Sequence, residues 1–339
     1  LRAWTFPLVA ALIVLAAPVA GAQTDLCSVT DKRLGELSGL VADGERWYAV
    51  NDGGTKSTVY VLGRDCRVQR VISGPTDPFD VEDLARGADG TFWLADTGDN
   101  DKKRATVALI ALTPQGGTTL YRLTYPDGAH DTEALLLDRS GTPFLVTKNP
   151  LGRADVYRPV GQLVAPGPTA LEKVGSLTFT PTDTQGGPVP TVVGSVAVTG
   201  GAVNPAGTLV ALRTYTDAYL YPAPDGDVLA ALKRQPVRVP LPNEKQGEAI
   251  ALEPDGTLVS ASEGVGEPIR VVPGAAERVA APPTPEPEGR QAPSDEAAAA
   301  PADDGTSGRP GLSTVPAIGF TAVAIGAIVF FMRRRASRR

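Results

Sequence analysis

The stretch DVEDLARGADGTFWLADTGDN, residues 80–100, decides the fold. An acid-bearing run, DVEDLA, meets the turn ADGT and returns as the apolar run FWLA. Asp-Gly between two such runs signals a hairpin, because glycine accepts positive φ and the aspartate bonds its own turn. The unit recurs along the chain. Its first strand reads ELSGL at 36–40, DVEDLA at 80–85, DTEAL at 131–135, TGGAV at 199–203 and GEAIAL at 247–252. The turns read ADGER, ADGT, RSGT, NPAGT and PDGT, and the second strands WYAV, FWLA, PFLV, LVAL and LVSA. Third strands follow as VYVL, VALIAL, DVYR, AYLY and PIRVV, with outer strands near 67–72, 118–124, 171–179 and 236–239.

Taking Leu40, Leu84, Leu135, Val203 and Ile250 as equivalents gives spacings of 44, 51, 68 and 47 residues. Repeats of that length, with a hairpin in each, predict a β-propeller. The longest gap holds the turn-rich TPTDTQGGPVP at 180–190. The fifth unit lacks an outer strand, and residues 28–34 are expected to supply it. The expected fold class is all-β: a propeller over residues 25–274 with five four-stranded blades, or six if the long gap hides another. A β-sandwich would leave the recurring hairpin unexplained.

Composition narrows the chemistry. With 37 Gly and 31 Pro in 339 residues, short strands and turns are favoured over long helices. A single histidine, His130, excludes sites built on two, and two cysteines exclude four-thiolate zinc or iron–sulfur centres. The net charge of −6 argues against nucleic-acid binding.

Both ends read as membrane signals. Residues 1–22 resemble a secretory signal peptide, with Arg2, an apolar run and the small-residue site Ala20-Gly21-Ala22. Residues 315–332 form an uncharged apolar run long enough for a transmembrane helix, and the basic tail 333–339 follows, which places the C-terminus in the cytoplasm and the large domain outside. The linker 275–314 is rich in Pro, Ala and acids and reads as a stalk. The exported part carries 26 basic against 38 acidic residues, net −12, a balance that favours cations, cationic ligands or basic partners. Cys27 and Cys66 both lie in it and are expected to form a disulfide.

In a meander, the start of strand one and the end of strand two share an edge. Strand-one starts carry Glu36, Asp80, Glu82, Asp83, Asp131, Glu133 and Glu248. Strand-two ends carry Asn51, Asp52, Asp96, Asp99, Asn100, Lys148, Arg213 and Glu263. Both sets converge on one face around one axis. Asp80 and Glu82 point the same way, as do Asp131 and Glu133. Carboxylates inside an apolar strand need a partner or a metal. Lys148 and Arg213 are too few for them, and an oxygen-only donor set suits Ca²⁺ rather than zinc. A structural hydrogen-bond network is the alternative role for these glutamates. Asp43, Asp89 and Asp255 are turn residues, and Asp99 and Asn100 suit an Asp/Asn loop.

The blocks ELSGL, VNDGG, DVEDLA, WLADTGDN, YPDGAHDTEALL, VTKN, VALRTY and QGEAIA, in order over residues 34–272, resemble bacterial exported propellers of the phytase-like or esterase-like type. They are distantly similar to gluconolactonase and strictosidine-synthase-like propellers. The resemblance implies an axial Ca²⁺, a part for which Glu36, Asn51, Asp80, Glu82, Asp131, Glu133 and Glu248 are the candidates. Asp52, Asp96, Asp99, Asn100, Lys148, Arg213 and Glu263 are the candidate ligand-binding residues.

No G-x-S-x-G occurs, and His130 is read as a loop residue, so a serine-hydrolase triad is not expected. Two functions remain beside a purely structural role. One is a surface module that binds a small molecule or protein outside the cell at the acidic axis. The other is a metal-assisted hydrolase of a lactone, ester or phosphoester with Glu82 or Glu133 as base.

Overall fold

The computed structural model describes residues 22–280. Its strands form five four-stranded antiparallel meanders. The first holds β2 (Leu37–Ala42), β3 (Trp47–Asn51), β4 (Ser57–Leu62) and β5 (Val68–Gly74). The second holds β6 (Val81–Arg86), β7 (Phe92–Asp96), β8 (Val107–Leu112) and β9 (Thr118–Thr124). The third holds β10 (Thr132–Leu137), β11 (Pro143–Thr147), β12 (Arg153–Pro159) and β13 (Thr169–Thr178). The fourth holds β14 (Val198–Val203), β15 (Leu209–Thr214), β16 (Asp217–Pro222) and β17 (Val237–Pro240). The fifth joins β18 (Gly247–Leu252), β19 (Leu258–Ser262) and β20 (Pro268–Val272) to the N-terminal β1 (Thr24–Ser28). A short parallel pairing of β13 with β9 links the outer edges of the second and third meanders.

The inner strands touch in the cyclic order β2, β6, β10, β14, β18 and back to β2. Five apolar cores fill the five seams between neighbours. One seam packs Tyr48, Val50 and Val59 against Leu84, Phe92 and Leu94. Another closes the ring by packing Trp47 and Ala49 against Ala249, Val259 and Ile269. The fold is therefore all-β and propeller-like.

The closing strand is displaced from its expected place. β1 spans Thr24–Ser28, and most of 28–34 is loop. Val29 and Leu34 turn into the core, and Asp31 accepts the Arg33 N–H to cap a 3₁₀ turn at Lys32–Leu34. That local bond competes with strand pairing. The disulfide forms as expected. Cys27 of β1 joins Cys66 in the turn after β4, 39 residues away, and so ties the closing strand to the first meander. Replacing both cysteines by serine is expected to cost about 3–4 kcal/mol in urea unfolding, the chain-entropy value for such a loop.

The insertion at 179–197 carries α1 (Thr191–Gly194) and no strand. Its Thr182 and Thr184 instead donate to the buried Asp217. Besides α2 (Val228–Leu232), a third helix, α3 (Ala275–Ala280), occupies the first residues of the expected linker, with Ala275 buried. Among the described residues no helix is long and apolar enough to cross a membrane. The expected signal peptide up to Gly21, the expected linker beyond Ala280, the expected transmembrane helix at 315–332 and the basic tail lie outside the described residues.

Candidate functional site

Each inner strand has a β-bulge at the same place. The register slips by one between Leu37 and Gly39, Val81 and Asp83, Thr132 and Ala134, Val198 and Gly200, and Gly247 and Ala249. The extra residues are Ser38, Glu82, Glu133, Thr199 and Glu248. A bulge re-aims a side chain out of the pleat. Here it gives five equivalent positions, three of them glutamates. The two hydroxyls stitch neighbours together: Ser38 donates to the Val81 carbonyl at 2.9 Å and Thr199 to the Gly247 carbonyl at 2.8 Å.

Carboxylate oxygens of Glu82, Asp131 and Glu133 lie within 4.8 Å of one another. All three side chains are buried. Gly98 makes room for them, since a Cβ there would sit 2.0 Å from Glu82 Oε1 and 2.5 Å from Asp80 Oδ2. Lys148 donates to Glu133 at 2.8 Å and lies 5.2 Å from the Tyr215 ring centroid. Gln246 donates to Glu248 at 2.9 Å.

Burial pushes the Glu82 carboxyl well above the usual range, and Glu133, Asp80, Asp52 and Asp131 push it further. Burial likewise raises Asp131, against the pull of Lys148 and of the Asp99 N–H. Glu133 is raised by burial despite Lys148, and Glu248 by burial and then by Glu263. Burial alone would lower Lys148, but Glu133, Tyr215, Asp131 and Glu248 hold it above its ordinary value. The well therefore carries more potential negative charge than its own cation balances. Its donors are all oxygen, the set a hard divalent cation prefers, so the cluster can hold a metal.

The expected site residues separate into groups. Glu82, Asp131 and Glu133 come together, with Asp80 beside Glu82 against Gly98 and Glu248 on the far side of Glu133. Glu36 and Asn51 line a cleft with Arg33, Gly53 and Lys56 that also takes in Val81 and Leu94 of the second meander. There Asn51 Oδ1 accepts the Glu36 N–H at 2.8 Å and Asn51 Nδ2 donates to the Asp52 carbonyl at 2.7 Å. Asp52 is buried and close enough to Glu82 to raise its pKa. Asp96 accepts the Asp80 N–H and a guanidinium N–H of Arg104, both at 3.0 Å. Asp99 turns into its own loop, where it accepts the N–H groups of Lys103 and Arg104, while its own N–H donates to Asp131. Asn100 is exposed at the rim, and Glu263 is buried beside Glu248.

Arg213 is not at the axis. Its five donors go to Thr214, Ala249, Ala261 and Tyr215 carbonyls and to Glu244 at 2.9 Å, in the seam between the fourth and fifth meanders. His130 also lies elsewhere, bonded to Asp127 and Tyr157.

Two contributors, Tyr215 and Gln246, lie outside the expected set, each two residues from an expected position, in VALRTY and QGEAIA. Asp83, expected among the strand-one acids at the axis, has a part that spacing does not show. Its carboxylate accepts the N–H groups of Leu84 and Leu135 at 2.8 Å and of Gly201 at 3.1 Å. These donors stand at equivalent positions of three inner strands, so Asp83 plugs the axis.

No protein-family model and no curated protein matches this chain. Solved structures do. An aldose sugar dehydrogenase from Streptomyces coelicolor, in its PQQ-bound form, is 11% identical over 76% of this chain and 99% of that one, with a TM-score of 0.40. A putative gluconolactonase is 12% identical over 75% and 93%, with a TM-score of 0.41. A gluconolactonase from Xanthomonas campestris is 12% identical over 77% and 99%, with a TM-score of 0.38.

Proposed function

We propose that this chain is an exported five-bladed propeller, anchored by residues 315–332, whose acidic well holds a divalent cation of the Ca²⁺ class and there binds a small-molecule or protein ligand outside the cell. The carrying observation is the meeting of Glu82, Asp131 and Glu133 at the head of the ring. The disulfide fits an oxidising compartment. Calorimetric titration of the purified full chain with Ca²⁺ tests the reading. Saturable binding is expected in the wild type, weakened at least about tenfold in Glu82→Gln, since loss of even an outer-shell partner costs about 10–100-fold. Absence of binding in the wild type removes the reading.

A second reading rests on the contrast between the two glutamates. Burial and the surrounding acids push Glu82 well above its ordinary range, whereas at Glu133 the Lys148 ammonium works against the same rise. Two carboxyls in unlike environments suit acid–base work on a lactone, ester or phosphoester. A cation bound beside them would polarise the substrate's carbonyl or phosphoryl oxygen. Hydrolysis of model lactones or phosphoesters that disappears in Glu82→Gln, with folding intact, would favour this reading over binding alone.

The raised carboxyls also set a pH dependence. Unfolded, they lose protons near about pH 4–5. Folded, Glu82, Asp131, Glu133 and Glu248 keep them to higher pH. The folded state then binds more protons, so stability falls as pH rises. Melting temperatures in EDTA are expected to fall from about pH 5 upward as these groups ionise, and saturating Ca²⁺ is expected to flatten the slope.

A further inference from the structure

A second cavity, of about 670 Å³, opens at the end of the ring opposite the acidic well. All five inner strands line it, through Leu40, Leu84, Leu135, Val203 and Leu252. Beneath its leucines, the Asp83 carboxylate accepts the N–H groups of Leu84, Leu135 and Gly201. The plug separates this cavity from Glu82 and its neighbours. Small-molecule sites fall in this size range and are mostly apolar, with a few polar groups that fix orientation.

The polar residues of the mouth are unequal. Its acids are committed to their own turns. Asp43 accepts the N–H groups of Glu45 and Arg46 and the Tyr48 hydroxyl. Asp89 accepts from Thr91, and Asp138 from Ser140 and Thr142. Arg86 pairs with Asp43 and lies over the Tyr48 ring. Arg139 is different. Its stem rests on Gly207 and Gly226, both at positive φ, and a Cβ on Gly207 would sit 2.6 Å from Arg139 Cγ. The two glycines seat the side chain at the mouth, yet among the described residues no carboxylate pairs with its guanidinium. Trp93 lines the same cavity and stacks on Tyr121 at 5.7 Å.

We propose that this cavity is a separate ligand site for a small amphipathic carboxylate, with its apolar body against the leucines and Trp93 and its carboxylate paired with Arg139. A planar guanidinium favours that headgroup through two parallel hydrogen bonds. An amine of the same shape would meet the wrong charge.

Trp93 supplies the readout. The full chain in lipid nanodiscs is titrated with 4-phenylbutyrate and, separately, with 4-phenylbutylamine, and tryptophan fluorescence is followed. The expected result is a saturable change with the carboxylate, at least about tenfold tighter than with the amine. Arg139→Gln should weaken carboxylate binding at least about tenfold. Ala202→Trp, which fills the cavity, should abolish it. Glu82→Gln and EDTA should leave it unchanged, which keeps the result independent of the acidic well. No saturable change in the wild type, equal affinity for the two probes, undiminished binding by a folded Arg139→Gln chain, or loss in Glu82→Gln would each overturn the proposal.

Discussion

Replacing Asp83 by alanine is expected to cost about 3–9 kcal/mol of stability, at about 1–3 kcal/mol for each of three buried donors left without an acceptor. Three amides depend on this carboxylate, and they belong to β6, β10 and β14. No water replaces it easily, since Asp83 itself is fully buried. Burial pushes its carboxyl up while the three N–H groups pull it down. Asp83→Asn keeps one acceptor oxygen but turns an NH₂ toward an N–H, so it should fall between wild type and alanine. Urea unfolding with an unchanged m-value measures the order. A loss under about 1 kcal/mol in Asp83→Ala would contradict the plug.

Arg213→Met should destabilise by about 3–5 kcal/mol, the range for breaking a buried pair from one side. Arg213 and Glu244 both have 0% side-chain exposure. The substitution strands the Glu244 carboxylate, to which, among the described residues, only Gln23 and Ser260 still donate, both at 2.6 Å. It also frees four backbone carbonyls. The double change Arg213→Met with Glu244→Gln is expected to cost less than the sum of the single changes, because the stranded charge is then gone. Additive losses would show that the pair is not coupled.

The hairpin period was open to reading because turn chemistry and alternation are local. Asp43-Gly44, Asp89-Gly90 and Asp255-Gly256 each mark where β2, β6 and β18 turn back. The shared edge of Glu82, Asp131 and Glu133 follows from the meander, whereas the bulges that re-aim Glu82 and Glu133 break the alternation. The other departures were questions of partners. Val203 was aligned by its apolar side chain, but register places Gly201 opposite Leu212, as Leu84 stands opposite Leu94. Glycine serves there because Leu136 and Leu212 already fill the space, 2.8 and 3.3 Å from where its Cβ would be. Arg213 carries a charge at a strand end, which suggested the axis. What takes it into the seam is Glu244, together with Gly247, whose missing Cβ leaves room for the guanidinium.

Diffraction from crystals of the chain soaked in Ca²⁺ would test the acidic well most directly. The ion is expected among the carboxylates of Glu82, Asp131 and Glu133, at about 2.3–2.6 Å from their oxygens. Ca²⁺ held instead in the Glu36–Asn51 cleft, or no ion at the head of the ring at saturating concentration, would contradict it.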